Sequence, residues 1–254
     1  KMTIRSTIES YFHHFNAGEL SKMSASLLKH LESGGRLFIT LAGAMSTAGI
    51  GKLLAPMIRK GYVAGISCTG ANLEEDVFRM MAFPHYTSIE NWRGLSPRDD
   101  EQLFDNNMNR VTDVCIPEQE AIRALESPLL DAWQVASSAG VRQLPHRYFY
   151  DILRNETLLN TAKGDPEASW VFAATETNLP VFVPGWEDST MGNIFAARSM
   201  EGEVDSDCVL SGIEYMKDLA SWYEEQESAL AFLQIGGGIA GDFPICVVPM
   251  LNQD

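Results

Sequence analysis

Apolar positions recur at helical spacing through the first 33 residues. Ile4, Ile8, Tyr11, Phe12 and Phe15 form one set, and Leu20, Met23, Leu27, Leu28 and Leu31 the next. Gly34-Gly35 closes that stretch, and the period then changes. Four times an apolar, β-type run enters a turn of small residues. LFITLA (37–42) leads into Gly43-Ala44-Met45-Ser46-Thr47, with a helix expected from about Ala48 to Lys60. VAGIS (63–67) leads into Cys68-Thr69-Gly70-Ala71-Asn72 and a helix over Leu73–Met81. PVFV (180–183) leads into Pro184-Gly185-Trp186-Glu187-Asp188-Ser189-Thr190 and a helix to about Met200. LAFLQI (230–235) leads into Gly236-Gly237-Gly238. Strands alternating with helices predict βαβ units with right-handed crossovers. The expected fold is α/β, a Rossmann-like, mostly parallel sheet with helices on both faces. Phe83–Pro117 reads as polar and loop-rich, Glu118–Ala139 as a helix and His146–Leu159 as another. These form a helical insertion between the second and third strands of one domain spanning 1–254.

In an open parallel sheet the ligand crevice lies beyond the carboxyl ends of the strands, so the four turns are expected on one face. Each precedes a helix start, where free N–H groups and the helix dipole favour an anion. Small residues are also ordinary in such loops. Glycines 236, 238 and 241 make a literal G-x-G-x-x-G after a strand. Only thirteen residues follow Gly241, too few for the strand, helix and acidic residue of a standard dinucleotide unit. The run is therefore a coincidence or part of a nucleotide site built in another order.

Composition narrows the function classes. A net charge of −15 argues against nucleic acid and suits a cationic ligand, or simply a solvated acidic surface. No apolar run approaches a membrane span and the start lacks a signal-peptide core, so a cytoplasmic protein without a membrane partner is expected. The scattered Cys68, Cys115, Cys208 and Cys246 read as buried free thiols. No His/Cys ligand spacing appears, so no metal is expected, nor is there a G-x-S-x-G elbow or a P-loop lysine.

Several side chains carry two readings. Glu74, Glu75 and Asp76 follow Thr69-Gly70 and either complement a helix start or accept ribose hydroxyls. Asp188 is an N-cap or points toward a sugar or amine, and Trp186 beside it stacks on a ligand or packs in the core. Asp242 binds an amine or caps the following helix, with Pro244 favouring the cap.

Five blocks, LAGAMSTAGIG, SCTGANLEED, VPGWEDSTMGN, SGIEYM and IGGGIAGDFPICVVPML, resemble the deoxyhypusine synthase family in order and spacing, most of all its deoxyhypusine synthase-like branch. The resemblance runs from about Arg36 to Asp254. It implies an NAD-dependent aminobutyltransferase. Hydride leaves spermidine, a lysine captures the imine, and the butylamine group passes to an acceptor amine before hydride returns. The acceptor is a protein lysine in the synthases proper and putrescine in relatives that make homospermidine. A homotetramer with sites at dimer interfaces is implied as well.

By motif, Thr69 with Gly70, Glu75 and Asp188 match NAD-contacting positions, Ser46 and Thr47 lie in the matching first turn, and Gly236 and Gly237 match glycines beside the cofactor. Asn193 stands where eukaryotic members carry an acid for a spermidine ammonium, and Asp242 stands where they carry a histidine. Both are candidate substrate contacts, and they favour a small-amine acceptor. The family's lysine lies in a Trp-Gly-Lys segment beyond the glycines. None of the five tryptophans here precedes Gly-Lys, so the catalytic nucleophile is unassigned. The alternative expectation is a non-catalytic NAD- or polyamine-binding protein.

Overall fold

The computed structural model describes residues 3–252. Residues 1–2, in the expected first helix, and 253–254, at the end of the resembling stretch, lie outside them. Two helices open the chain, α1 (Ile4–Tyr11) and α2 (Phe15–Glu32). Thr3 and Ser6 form a reciprocal capping box at α1. The apolar stripe of this pair is largely unburied: α1 has no buried residue, while Leu27 and Leu31 of α2 pack against the core.

The repeating part follows as β1 (Arg36–Leu41), α3 (Gly51–Arg59), β2 (Val63–Cys68) and α4 (Gly70–Ala82). The first helix of this pair starts three residues later than expected, because the turn before it contains Gly49 at φ +89°, outside helical space. The second starts three residues earlier, because Thr69 takes the N-cap and its hydroxyl accepts the N–H of Asn72.

Residues 83–117 are more ordered than the loop-rich stretch expected of them. They contain β3 (Thr87–Ser88), α5 (Pro97–Asp105), β4 (Met108–Val111) and β5 (Val114–Pro117), the strands forming a small antiparallel sheet ordered β3-β5-β4. The hairpin turns at Thr112-Asp113, with Thr112 at φ +54°, so the usual glycine or asparagine signal is missing. The insertion therefore has a sheet as well as helices. A π-helical stretch, Glu118–Arg123, runs into α6 (Ala124–Ala139), as expected for one helical run. The expected helix over 146–159 is two, α7 (Pro145–Leu153) and α8 (Glu156–Thr161), since Asn155 caps the second by accepting the N–H of Thr157. The remaining elements are α9 (Trp170–Thr177), β6 (Val181–Phe182), α10 (Thr190–Met200), α11 (Gly212–Glu224), β7 (Leu230–Ile235) and α12 (Ile239–Leu251).

The main sheet is ordered β6-β2-β1-β7, and all of its pairings are parallel. Leu37, Phe38, Ile39 and Leu41 are all fully buried, so both faces of β1 are covered. Each such side chain is worth roughly 1.5–3 kcal/mol of burial. Phe38 meets Trp222 of α11 at 5.2 Å and Phe232 of β7 at 5.4 Å between ring centroids. Helix α4 is internal, with eleven of its thirteen residues buried, so its polar side chains must find partners inside the protein. All four cysteines are free; Cys68, Cys115 and Cys208 are buried as expected, but Cys246 is exposed on α12. Among the described residues no helix is long and apolar enough to cross a membrane.

Candidate functional site

The strand order reverses direction at β1: successive strands add on one side as β2 and β6, and β7 returns to the other. A crevice opens at such a reversal, beyond the carboxyl ends of the strands. In this sheet the reversal falls between the tips of β1 and β7. Gly236, at φ +82°, sits so close to Ala42 that a Cβ on it would be 2.7 Å from the alanine Cβ. The other tips join the same surface. A Cβ on Gly70 would lie 2.7 Å from Ser189 Cβ and 2.9 Å from the Trp186 carbonyl oxygen, and one on Gly185 would touch Ile239 at 3.2 Å. All four small-residue turns are thus neighbours, as the repeating pattern predicts.

Asn72, which no sequence signal singled out, organises the first turn. Its Nδ2 donates to the carbonyls of Leu41, Ala42 and Gly43, and its Oδ1 accepts the N–H of Ser46 at 2.9 Å. The Ser46 hydroxyl donates to the Asn72 carbonyl at 2.7 Å and accepts Trp170 Nε1 at 3.0 Å. Ser46 is fully buried, and its hydroxyl is spent on holding the turn. Thr47 donates to Glu75, and both are buried. Thr69, at the next tip, donates to the Gly43 carbonyl at 2.7 Å.

The three acids of α4 have separate fates, and none complements its own helix start, because α4 begins at Gly70 and no acid falls in its first turn. Glu74 accepts the backbone N–H groups of Thr190 and Met191, at 2.8 and 2.7 Å, at the opening of α10. Asp76 accepts the Ser169 hydroxyl and the Val171 N–H at the opening of α9. Burial pushes Glu74 up to about 7 and Asp76 up to about 6, against the downward pull of those same hydrogen bonds. Burial also raises Glu75, opposed by Thr47.

These contacts decide where an anion can be held. At α10 the first-turn N–H groups already face the Glu74 carboxylate and the Ser189 hydroxyl, and at α4 Thr69 supplies the cap. Helix α12 differs: its N-cap is Gly238, at φ +64°, with no side-chain cap. Nothing lies within 4 Å of where a Cβ on Gly237 or Gly238 would be. The glycine run therefore presents an uncapped helix start to open space beside the crevice.

The remaining candidates lie at the rims. Asp188 is exposed beside the buried Trp186, which packs against Trp133 and Phe195. Asn193, on the first turn of α10, donates its amide to the carbonyls of Glu187 and Ser189 at 3.0 and 2.7 Å. Asp242 is exposed within the first turn of α12 and is not its cap. Among the described residues no group of three or more His, Cys, Asp or Glu gathers as a metal site.

The family model for deoxyhypusine synthase matches residues 8–253. The chain belongs to the deoxyhypusine synthase family. Similar relatives include "Probable deoxyhypusine synthase 2" of Methanosarcina acetivorans, 28% identical over 215 residues, which covers 84% of this chain and 56% of that protein. "Deoxyhypusine synthase-like protein" of Coxiella burnetii is 27% identical over 208 residues, covering 82% of this chain and 55% of its own. The chain thus spans about half the length of these curated relatives. A crystal structure from Entamoeba histolytica, described as a candidate deoxyhypusine synthase, superposes with a TM-score of 0.59 at 13% identity, covering 93% of this chain and 79% of the other. That likeness is one of fold.

Proposed function

We propose that this member of the deoxyhypusine synthase family is an NAD-dependent aminobutyltransferase that takes its group from spermidine. The observation that carries this is the reversal of strand order between β1 and β7, with an uncapped glycine-led helix start beside it. We read the order β6-β2-β1-β7 as the 3-2-1-4 part of a Rossmann-like sheet, in which the ligand crevice falls at the junction of the last two strands.

The residues present fit the cofactor. Gly236, Gly237 and Gly238 would bring backbone N–H groups to the pyrophosphate, and the open space around Gly237 is what such an approach needs. Thr69 and Gly70 would line the second tip, and Glu75, steadied by Thr47, would face the ribose side. Asp188 would accept from a sugar hydroxyl or an amine. Ser46 would act by fixing the first turn. When bound, NAD would supply the hydride acceptor for the carbon next to the secondary amine of spermidine, and return the hydride after transfer.

The acceptor proposed is a small amine such as putrescine, giving homospermidine, rather than a protein lysine. Support comes from Asn193, whose neutral amide is committed to two carbonyls, and from the exposed carboxylate of Asp242. We further propose one domain, a cytoplasmic protein with its thiols reduced, and a homotetramer. The exposed apolar side chains of Ile4, Tyr11, Phe15 and Met23 offer surface for subunit contacts.

Incubation with NAD, labelled spermidine and putrescine should yield labelled homospermidine, and calorimetry should detect NAD binding. Absence of both would overturn the proposal. NAD binding without any transfer would favour a non-catalytic binding protein.

A further inference from the structure

A groove of about 410 Å³ runs between α10 and residues 206–211, lined also by the Trp186-Glu187 turn. Its floor is apolar, built from Trp186, Phe195, Val209 and Leu210. Trp186 and Phe195 are only 5% and 7% exposed, and they pack on each other and on Trp133.

Both walls are fixed. Arg198 on α10 bonds Glu126 of α6 at 2.8 Å, which pins one wall. The opposite wall is held where Leu210 N–H donates to the Gln143 carbonyl at 2.8 Å and Tyr148 donates to the Cys208 carbonyl at 2.7 Å. A cleft held open in this way is preformed for a small ligand.

Its charge is equally specific. Of the side chains lining the groove, Glu187 is the single ionisable one; it is exposed, and among the described residues it makes no ion pair. Asn193 lines the groove too, but its Nδ2 is spent on the carbonyls of Glu187 and Ser189, so it braces the turn that carries the carboxylate. One carboxylate at the edge of a channel with an apolar floor and the neutral hydroxyls of Ser199, Ser206 and Ser211 at its sides, beside an indole, selects a cation carrying an apolar chain.

We propose that this groove binds a linear amine through one ammonium on Glu187, with its alkyl chain lying along Trp186, Phe195, Val209 and Leu210. The choice of an amine rests on the polyamine chemistry proposed above; the groove adds that only one ammonium is held there. The ligand is therefore an alkyl monoamine or one end of a polyamine. Glu187 supplies the specificity-determining carboxylate, and the Asn193 amide positions the turn that carries it.

Calorimetric titration with hexylamine, 1-hexanol and spermidine tests this, with NAD titrated in parallel. Hexylamine should bind at least about tenfold more tightly than hexanol, the size of one charge-assisted hydrogen bond. Glu187→Gln should weaken hexylamine about tenfold, and Ala196→Trp, which fills the groove from its exposed rim, should abolish binding. Spermidine that follows hexylamine in both variants would identify the groove as seating a polyamine end; spermidine unaffected by either would assign the groove to monoamines. Hexylamine affinity unchanged in Glu187→Gln, or equal to that of hexanol, would overturn the proposal. Loss of amine binding with NAD binding intact separates this site from the cofactor crevice. Failure of NAD binding with the hexylamine pattern preserved would sink the transferase and leave the groove standing.

Discussion

Glu74 accepts the backbone N–H of Met191 at 2.7 Å, so a side chain of the internal helix α4 shares with Ser189 the capping of a helix whose first turn, at Met191, lies 117 positions further along the chain. The same carboxylate takes the N–H of Thr190. Removing it leaves both donors without their acceptor, and the Met191 N–H is buried away from water. Glu74→Ala should therefore cost about 2–3 kcal/mol of stability, whereas Glu74→Gln, which keeps one acceptor oxygen, should cost about 1 kcal/mol. Urea denaturation at pH 7 measures both. Equal, small losses would show that the cap is not what holds α10 to α4.

The two buried caps also set a pH dependence. The ordinary value of 4.5 for Glu74 rises to about 7 on folding, and 3.8 for Asp76 rises to about 6. The folded state thus binds protons that the unfolded chain has released. The stabilising contribution is complete below the unfolded values and is lost as pH rises through the folded ones. Relative to Glu74→Gln, the wild-type protein should lose stability from about pH 4.5 to pH 7 and level off above; relative to Asp76→Asn the window is about pH 3.8 to 6. Denaturation curves across that range check it, and a difference that grows with pH would reverse the assignment.

These caps mark the border of what the sequence makes legible. The four strand tips are legible because each couples a β-type run to a turn of small residues, a local pattern. PVFV shrinks to the two residues Val181–Phe182 because prolines at 180 and 184 remove ladder donors on either side. The hairpin at Thr112-Asp113 is hidden by the absence of any glycine. Partners of Glu74 and Asp76 lie 117 and 93 positions away, and Asn72 takes its role only once β1 is folded beside α4. In the candidate site, the glycines and Thr69 are legible from their place at strand ends, whereas the commitment of the Ser46 hydroxyl to Trp170 is a tertiary fact.

The glycines at the tip of β7 should separate backbone packing from ligand contact. Gly236→Ala puts a Cβ at φ +82° against Ala42, at a separation of 2.7 Å. It should cost about 1–3 kcal/mol and weaken NAD binding by shifting the tip. Gly237→Ala has open space and should change stability by less than about 0.5 kcal/mol, yet still reduce NAD affinity if the backbone there meets the cofactor. Thermal melts with and without NAD report both. Normal NAD binding in Gly237→Ala would move the pyrophosphate away from this run.

Ser46 and Asp188 provide the opposite pairing, one buried and bonded, the other exposed. Ser46→Ala leaves the Trp170 indole N–H and the Asn72 carbonyl without their partner in the core, so a loss of about 1–3 kcal/mol is expected. Any weakening of NAD binding should then follow the loosened first turn, and lowering the temperature should restore part of it. Asp188 is exposed and makes no side-chain bond among the described residues, so Asp188→Asn should keep its melting temperature within about a degree of wild type. If Asp188 accepts from a ribose hydroxyl or an ammonium, NAD or spermidine affinity should fall about tenfold at every temperature. The contrast in temperature dependence, followed by calorimetry from 10 to about 30 °C, tells a ligand contact from a structural brace. An Asp188→Asn protein that binds both ligands as wild type would remove Asp188 from the crevice.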